Sequence, residues 1–167
     1  MSLNKLLILT LLLSSCSLFR AYDPRGTNIP EDVQTFSVDF FNNEAAIVNP
    51  QLSIQFTEKI KTKFQSETRL KLINGEGDYK MGGIIKDYRI EPATRTANIG
   101  TSENQLTIAV RVDFVCDKHP EKNFSKEFSF FRTYDATQSL SAVENNLSAE
   151  ISDNIVQQIF AAIALDW

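Results

Sequence analysis

Few side chains in this sequence have the types and spacing of a catalytic site. The only histidine, His119, lies in the turn-forming segment Lys118-His119-Pro120, and the two cysteines are Cys16 and Cys116. No Cys/His cluster offers zinc ligands, and a single histidine in a turn gives little basis for a serine-histidine relay. The sequence also lacks a nucleophile elbow, a glycine-rich phosphate loop and an HExxH motif. We therefore predict a binding or scaffolding protein, without cofactor or metal, rather than an enzyme.

Cys16 is the one side chain whose context predicts covalent chemistry, the attachment of lipid. Lys5 precedes an apolar run at 6–13, and two serines separate that run from Cys16. This pattern is similar to the lipobox of a bacterial lipoprotein signal peptide, and the run is too short for a spanning helix. We therefore expect removal of residues 1–15 and acylation of Cys16. Each buried CH₂ of an acyl chain contributes roughly 0.8 kcal/mol, so two or three acyl chains would attach the domain stably to the membrane. The alternative is an ordinary cleaved signal peptide with an incidental cysteine.

The composition of the remaining chain fits one globular domain. The 167 residues are 43% hydrophobic and include twelve phenylalanines, enough for one sizeable core. The net charge of −4 argues against general nucleic-acid binding. Lipidation of Cys16 would leave Cys116 without a disulfide partner, so we predict that Cys116 is a small buried hydrophobe.

Residues 16–32 are predicted to link the lipid to the domain. Pro24, Gly26 and Pro30 interrupt this segment, and its charges show no sustained periodicity. We therefore predict a lipidated N-terminus with a flexible tether over 16–32 and a single α+β domain over 33–167.

The first half of this domain reads as strand, helix and strand. Alternation predicts a half-buried strand over 33–41, with a buried face made by Phe36, Val38 and Phe40. Asn49 and Pro50 predict a helix start, as N-cap and first helical residue. An apolar stripe at four-residue spacing follows, formed by Leu52, Phe56, Ile60 and Phe64. A short strand over 69–73 comes next, and the order of elements predicts that the two strands run parallel.

Three longer strands are predicted after this unit. The first covers 79–91, where the Gly82-Gly83 pair predicts a bulge. A polar segment, 93–104, is the longest candidate loop. The clearest alternation in the chain then predicts a strand whose inward face holds Leu106, Ile108, Val110, Val112, Phe114 and Cys116. Its antiparallel partner carries Phe124, Phe128 and Phe130 and ends near Tyr134-Asp135.

A second, long helix is predicted at the C-terminus. Ser141 and Glu144 have the three-residue spacing of a capping box. Its apolar stripe consists of Val143, Leu147, Ile151, Ile155, Ile159 and Ile163. Near Trp167 the helix is apolar on most sides, which predicts either an end buried between the first helix and the sheet or a surface for a partner.

These elements predict an α+β fold, a mixed four- to five-stranded sheet with two helices packed on one face. The second face of the sheet is predicted to be mostly polar.

The order and spacing of several short motifs resemble one known family. Besides the lipobox at Cys16 and a terminal helix that closes on Trp167, the motifs are Val33-Gln34-Thr35-Phe36-Ser37-Val38, Val48-Asn49-Pro50-Gln51-Leu52 leading into Phe56-Thr57-Glu58, Ile84-Lys86-Asp87-Tyr88, Leu106-Thr107-Ile108-Ala109-Val110 and Lys122-Asn123-Phe124. Together they are similar to the Bacteroidetes branch of LptE, the outer-membrane lipopolysaccharide-assembly lipoproteins. The resemblance covers nearly the whole chain, and none of its motifs is catalytic.

The resemblance implies a partner and a location. The expected partner is the LptD outer-membrane β-barrel, for which the chain would act as plug and assembly aid during lipopolysaccharide insertion into the outer leaflet. The lipid-anchored domain would lie on the periplasmic side of the outer membrane or in the barrel lumen. If the domain binds lipopolysaccharide directly, the candidate ligands for its phosphates are Arg111 and Arg89, since both are expected on the polar face. Solvated surface charge is the alternative interpretation of these two arginines.

Two other functions fit the sequence less well. One is a different outer-membrane lipoprotein adaptor, such as a pilotin-like assembly factor for a secretion pore. The other is a periplasmic enzyme, which would require a buried carboxylate pair or a metal in a deep pocket.

Overall fold

The computed structural model describes residues 26–47, 49–93 and 102–165. The predicted signal peptide, the lipidation site Cys16, most of the predicted 93–104 loop and Trp167 lie outside these ranges.

One mixed sheet organises the described chain. Its strands are β1 Thr35–Val38, β2 Asn42–Asn43, β3 Lys71–Leu72, β4 Tyr79–Pro92, β5 Glu103–Cys116 and β6 Phe124–Asp135. Their order is β3-β1-β4-β5-β6, and β2 also pairs with β4. β1 runs parallel to β3, as predicted from the strand-helix-strand order, whereas β4, β5 and β6 are antiparallel. The α+β class is confirmed, and the sheet has six strands rather than four to five because β2, a two-residue strand that was not predicted, also pairs with β4.

Two helices cover one face of this sheet. Helix α1 spans Pro50–Glu67, and helix α2 spans Leu140–Phe160 and continues as a π-helical turn, Ala161–Leu165. The predicted start of α1 is confirmed, because the Asn49 side chain accepts a hydrogen bond from the N–H of Leu52 at 3.2 Å. Neither helix, nor any other described helix, combines the length and apolar character that a membrane crossing requires.

The core lies between the helices and the sheet. The predicted stripes of α1 and β5 are all buried, and Cys116 is a fully buried free cysteine. The end of α2 belongs to the same core, which decides between the two predicted fates of this segment. Its buried members are Val156, Ile159, Phe160, Ile163 and Ala164.

The first predicted strand is too long. β1 ends at Val38, and the N–H of Asp39 donates to the carbonyl of Met81 at 2.8 Å. Beyond this bond the alternation breaks, so Phe40 is 51% exposed and Phe41 is fully buried. The ring of Phe41 packs edge-on against Phe56 at 5.3 Å between centroids. Aromatic packing against α1 thus overrides the period-two pattern.

The predicted bulge is present in β4, but at a different position. The register with β5 shifts between Ile85 and Asp87, whereas Gly82 and Gly83 pair regularly. Gly83 instead accommodates a close backbone approach, since a Cβ built there would lie 2.0 Å from the carbonyl oxygen of Arg111. The real bulge explains why Ile85 and Tyr88, three residues apart, are both buried.

The predicted capping box of α2 does not form. Helix α2 begins at Leu140, and its N-cap Ser139 makes no side-chain cap hydrogen bond. Glu144 points elsewhere: its Oε1 accepts hydrogen bonds from Asn49 Nδ2 at 3.0 Å and from the Tyr88 hydroxyl at 2.7 Å. Burial, together with this bond, raises the pKa of Tyr88. Glu144 therefore joins α2 to β4 and to the N-terminus of α1, because the buried Tyr88 hydroxyl and the half-buried Asn49 amide need an acceptor.

The predicted tether extends too far toward the domain. Residues 28–33, here called the N-terminal strap, pack against the fold. Ile29 is 5% exposed, and the N–H of Asn28 donates to the carbonyl of Ala164 at 2.8 Å. Arg69 Nη2 donates to the carbonyl of Pro30 at 2.6 Å. These contacts make the strap part of the folded domain.

Candidate functional site

The sheet face opposite the helices is the candidate site, and we call it the open face. Strand register assigns to it Lys80, Ile84, Asp87, Arg89 and Glu91 of β4, Gln105, Thr107, Ala109, Arg111 and Asp113 of β5, and Ser125, Glu127, Ser129, Phe131 and Thr133 of β6. Most of these side chains are polar, which confirms the predicted character of this face. Among them Phe131 is a large exposed aromatic residue, with 51% of its surface accessible.

Arg89 and Arg111 both lie on this face, as predicted from strand parity. The side chain of Arg89 is 52% exposed and pairs with Asp87 and Glu91, the latter with Nε to Oε2 at 3.4 Å. Arg111 is 48% exposed, and its Nε lies 4.0 Å from Asp113 Oδ2. Arg89 is therefore held by two carboxylates, whereas Arg111 has one distant partner.

The structure does not bring the two arginines together. Arg89 is opposite Thr107 in the register, and Arg111 is opposite Ile84. Thr107 and Arg111 are four residues apart on β5, which corresponds to roughly 13 Å along the strand. One phosphate group is too small to contact both guanidinium groups at this separation. Any phosphate contact would therefore involve each arginine independently.

Charges on the open face are largely compensated by nearby carboxylates. Lys86, at the bulge of β4, pairs with Glu127 of β6 at 2.7 Å. Lys80 contacts Glu76 at 2.7 Å and Asp117 at 2.9 Å, which raises its pKa. The face thus offers many hydrogen-bonding groups but no concentrated positive patch. Such a surface is suited to a polar, hydrated interface rather than to a dry one.

A cluster of charged residues ties the strap to one edge of this face. The Asp78 carboxylate accepts from the N–H groups of Gln34 and Thr35 at 2.8 and 3.0 Å, and pairs with Lys118 at 2.7 Å. The bond with Lys118 is the largest cause that holds the pKa of Asp78 well below its usual range. His119 Nε2 lies 3.1 Å from Asp32 of the strap.

His119 is a loop residue between β5 and β6, as predicted, and its ring nitrogens lie 3.1 Å from Asp32 Oδ1 and 3.4 Å from Glu121 Oε1. In the described ranges, no three His, Cys, Asp or Glu side chains form a potential metal site. The arrangement can fix the strap to the turn after β5, and nothing about it resembles a catalytic centre.

An open groove of about 600 Å³ lies between α1 and α2 on the far side of the molecule. Two lysines of its lining are already paired, Lys59 with Asp153 and Lys63 with Glu67. Val156 contributes the buried apolar part. The lining of this groove includes neither Arg89 nor Arg111, so the open face, which carries both predicted residues, is the stronger candidate.

The comparison with protein families identifies the fold and the general role. The family model described as LptE, lipopolysaccharide-assembly, matches residues 33–163. The chain belongs to the LptE family. LptE proteins are non-enzymatic outer-membrane lipoproteins that take part in lipopolysaccharide assembly. No curated protein matches the sequence significantly.

Solved structures support the LptE fold at low sequence identity. A minor lipoprotein from Acinetobacter baumannii is similar with a TM-score of 0.50 and 15% identity, over 77% of this chain and 90% of the other. A hypothetical protein from Chlamydia trachomatis has a TM-score of 0.50 and 10% identity, over 78% of this chain and 98% of the other. These likenesses concern the fold alone.

Sequence reasoning missed two residues that shape this LptE domain. Glu144 was assigned to a local cap, and its long-range bonds to Asn49 and Tyr88 leave no signal in sequence spacing. Asp78 follows a glycine-rich turn, where a solvent-exposed role is the usual expectation. Thr35 is a polar residue next to the buried Phe36 in β1. This position could have indicated that the Thr35 hydroxyl needs a polar partner beside the strand.

Proposed function

We propose that this LptE chain is the outer-membrane lipoprotein subunit of the lipopolysaccharide translocon, where it acts as plug and assembly partner of the LptD β-barrel. The observation that carries the proposal is the asymmetry of the sheet within an LptE-family fold. One face is closed by helices, and the other presents mostly exposed paired charges, amides and hydroxyls, with Thr107 and Ala109 of β5 buried among them.

The open face is complementary to the interior of a large barrel. Outer-membrane barrels are apolar outside and polar inside, so a plug must present hydrogen-bonding groups rather than apolar surface. The compensated charges of Arg89, Arg111 and Lys86 suit such a wall, because each can exchange an internal partner for one on the barrel at little electrostatic cost.

The proposed anchor is Cys16. The packed strap begins at Asn28, so about twelve residues would separate it from the lipid, which allows a reach of roughly 40 Å when fully extended. That reach keeps the domain on the periplasmic side of the membrane or within a barrel lumen. A tether of this length also raises the effective concentration of the domain near a barrel in the same membrane.

Affinity purification from native outer membranes tests the partnership. The tagged chain should recover a large β-barrel in mild detergent, and recovery of the free chain alone would contradict the proposal. Depletion then separates this role from that of a pilotin-like adaptor. Misassembly of the barrel with loss of surface lipopolysaccharide supports the LptD role, whereas loss of a secretion pore alone supports the adaptor.

The anchor has its own test. Cys16→Ser should leave an unprocessed precursor that no longer fractionates normally with the outer membrane, because the thiol that receives the lipid is absent. Cys116→Ser is the matched control for loss of a thiol and should not alter processing. Normal fractionation of the Cys16 variant would remove the basis for the proposed anchorage.

A further inference from the structure

Strand β6 ends the sheet with a long unpaired edge. It is twelve residues long and pairs with β5 on one side, while no strand of the described chain pairs with its other side. Along such an edge every second residue directs its N–H and C=O groups away from the sheet. These groups form a ready template for one more strand.

A groove runs beside the first half of this edge, on the helix side of the sheet. It has a volume of about 400 Å³ and is lined by Lys126 and Phe128 of β6 and by Gln158, Ala161 and Ala162 at the end of α2. The two alanines are the reason for the space, because larger side chains there would fill it. A strand added to β6 would direct alternate side chains into this groove.

The charges at the groove define what the added strand should carry. Lys126 is exposed, its Nζ lies 5.2 Å from the centroid of the Phe128 ring, and it makes no ion pair within the described residues. Arg132, on the same side of β6, is already paired with Glu150 at 3.0 Å. Lys126 is therefore the cation that remains available for an incoming carboxylate.

We propose that the β6 edge, Phe124–Asp135, binds an extended segment of a partner polypeptide by strand addition. The segment places an acidic side chain opposite Lys126 and an apolar side chain in the groove beside Ala161 and Ala162. On the open face, the same segment covers part of Phe131. This docking surface adjoins the open face at Phe131, but strand addition to the β6 edge does not depend on the plug role.

A second copy of the chain fits this edge poorly. When two β6 strands pair antiparallel about a two-fold axis, the helix side of one copy lies beside the helix side of the other. The symmetric register centred on Ser129 would place Lys126 directly opposite Arg132 of the other copy. Like charges in that position destabilise the pair, so the charge pattern favours a different, acidic partner.

The test uses the full chain in mild detergent and a nine-residue peptide of alternating valine and threonine, with one central valine replaced by glutamate. Amide hydrogen exchange should slow along β6 when the peptide is added. Lys126→Glu should weaken binding by at least about threefold, and a peptide with lysine in place of glutamate should recover it. Lys71→Glu, exposed on β3 at the opposite edge of the sheet, is the control and should leave binding unchanged.

Two further measurements make the result decisive. In a bound strand only every second peptide N–H faces β6. N-methylation of those amides should abolish binding, whereas N-methylation of the amides between them should not. Ala162→Leu should reduce affinity by filling the groove. Protection elsewhere in the chain, no protection at all, equal loss with both methylated peptides, or β6 protection that grows with protein concentration alone would overturn the proposal.

Discussion

The two faces of the sheet are built by the same strands but differ in almost every physical respect. On β5, the inward residues Val110, Val112 and Phe114 are at most 1% exposed. Their neighbours Arg111 and Asp113 have side chains that are 48% and 50% exposed. In this part of β5, residues that pack in the core therefore alternate with residues whose side chains are exposed to solvent.

This difference separates stability from recognition at the level of single residues. Substitutions on the inward face remove packing that the surroundings cannot replace. Substitutions on the open face change surface charge and leave the core intact, so they can report on partners without unfolding the domain.

The largest expected effect is on the inward face. Phe64 is fully buried, and its ring lies 5.8 Å from that of Phe36 and 5.2 Å from that of Phe160. Phe64→Ala should lower the free energy of unfolding by about 3 to 5 kcal/mol, measured by denaturant titration. Phe131→Ala, on the open face, should change it by less than about 0.5 kcal/mol. Similar losses for both variants would contradict the division between the faces.

The two adjacent glycines of β4 sharpen the comparison. A Cβ on Gly83 would lie 2.0 Å from the Arg111 carbonyl oxygen, whereas a Cβ on Gly82 would lie 3.3 Å from the terminal oxygen of Asp39. Gly83→Ala should destabilise the domain by roughly 1 to 3 kcal/mol through strain. Gly82→Ala should be nearly neutral in the same thermal or denaturant experiment. A larger loss of stability for Gly82→Ala than for Gly83→Ala would contradict the close approach of Gly83 to the Arg111 carbonyl.

Asp78 marks the place where polar groups beside the open face do contribute to stability. Its folded-state pKa lies below the unfolded value near 4, so its contribution is present above about pH 4 and is lost as the pH falls below that value. Asp78→Asn should cost on the order of 2 kcal/mol at pH 7 and flatten the stability profile between pH 4 and 2. Asp113→Asn is the exposed control. An unchanged profile for the Asp78 variant would rule out this contribution.

Arg111→Glu should have the smallest effect on stability and a measurable effect on ligand binding. Arg111 has one carboxylate 4.0 Å away, so its replacement leaves no buried group unpaired. We expect the free energy of unfolding of the variant to stay within about 0.5 kcal/mol of that of the original chain. Its binding of lipopolysaccharide should be weaker. Lys61→Glu on α1 controls for net charge. Equal affinity of both variants for lipopolysaccharide would assign Arg111 to ordinary surface charge.

Much of the fold could be predicted from local patterns. The stripe of α1 and the alternation of β5 follow from periods of 3.6 and 2 residues. The Asn49 cap follows from residue type, and the parallel pairing of β1 and β3 follows from the order of the elements. These elements were predictable because burial is strongly one-sided along each of them.

The errors occurred where long-range contacts override local pattern. Phe41 replaces Phe40 in the core because Phe56 is available to pack against it. Glu144 leaves the predicted capping box because Asn49 and Tyr88, distant in sequence, offer a half-buried and a fully buried donor. The strap is predicted as tether because Pro30, together with Pro24 and Gly26 just before it, hides the burial of Ile29.

The candidate site could be predicted only in outline. Strand parity places Arg111 and Arg89 on the polar face, but their separation depends on the bulge between Ile85 and Asp87. The carboxylate partners of the two arginines, in contrast, lie two residues away on the same strand, so alternation alone places them on the same face.

Site-specific photo-crosslinking in native outer membranes tests the central claim most directly, that the open face is the surface that contacts the barrel. A photoreactive residue in place of Glu127, on the open face, should crosslink the chain to a large β-barrel. The same residue in place of Gln65, exposed on α1, is the matched control and should give much less of that product. Crosslinking from Gln65 but not from Glu127 would contradict the account.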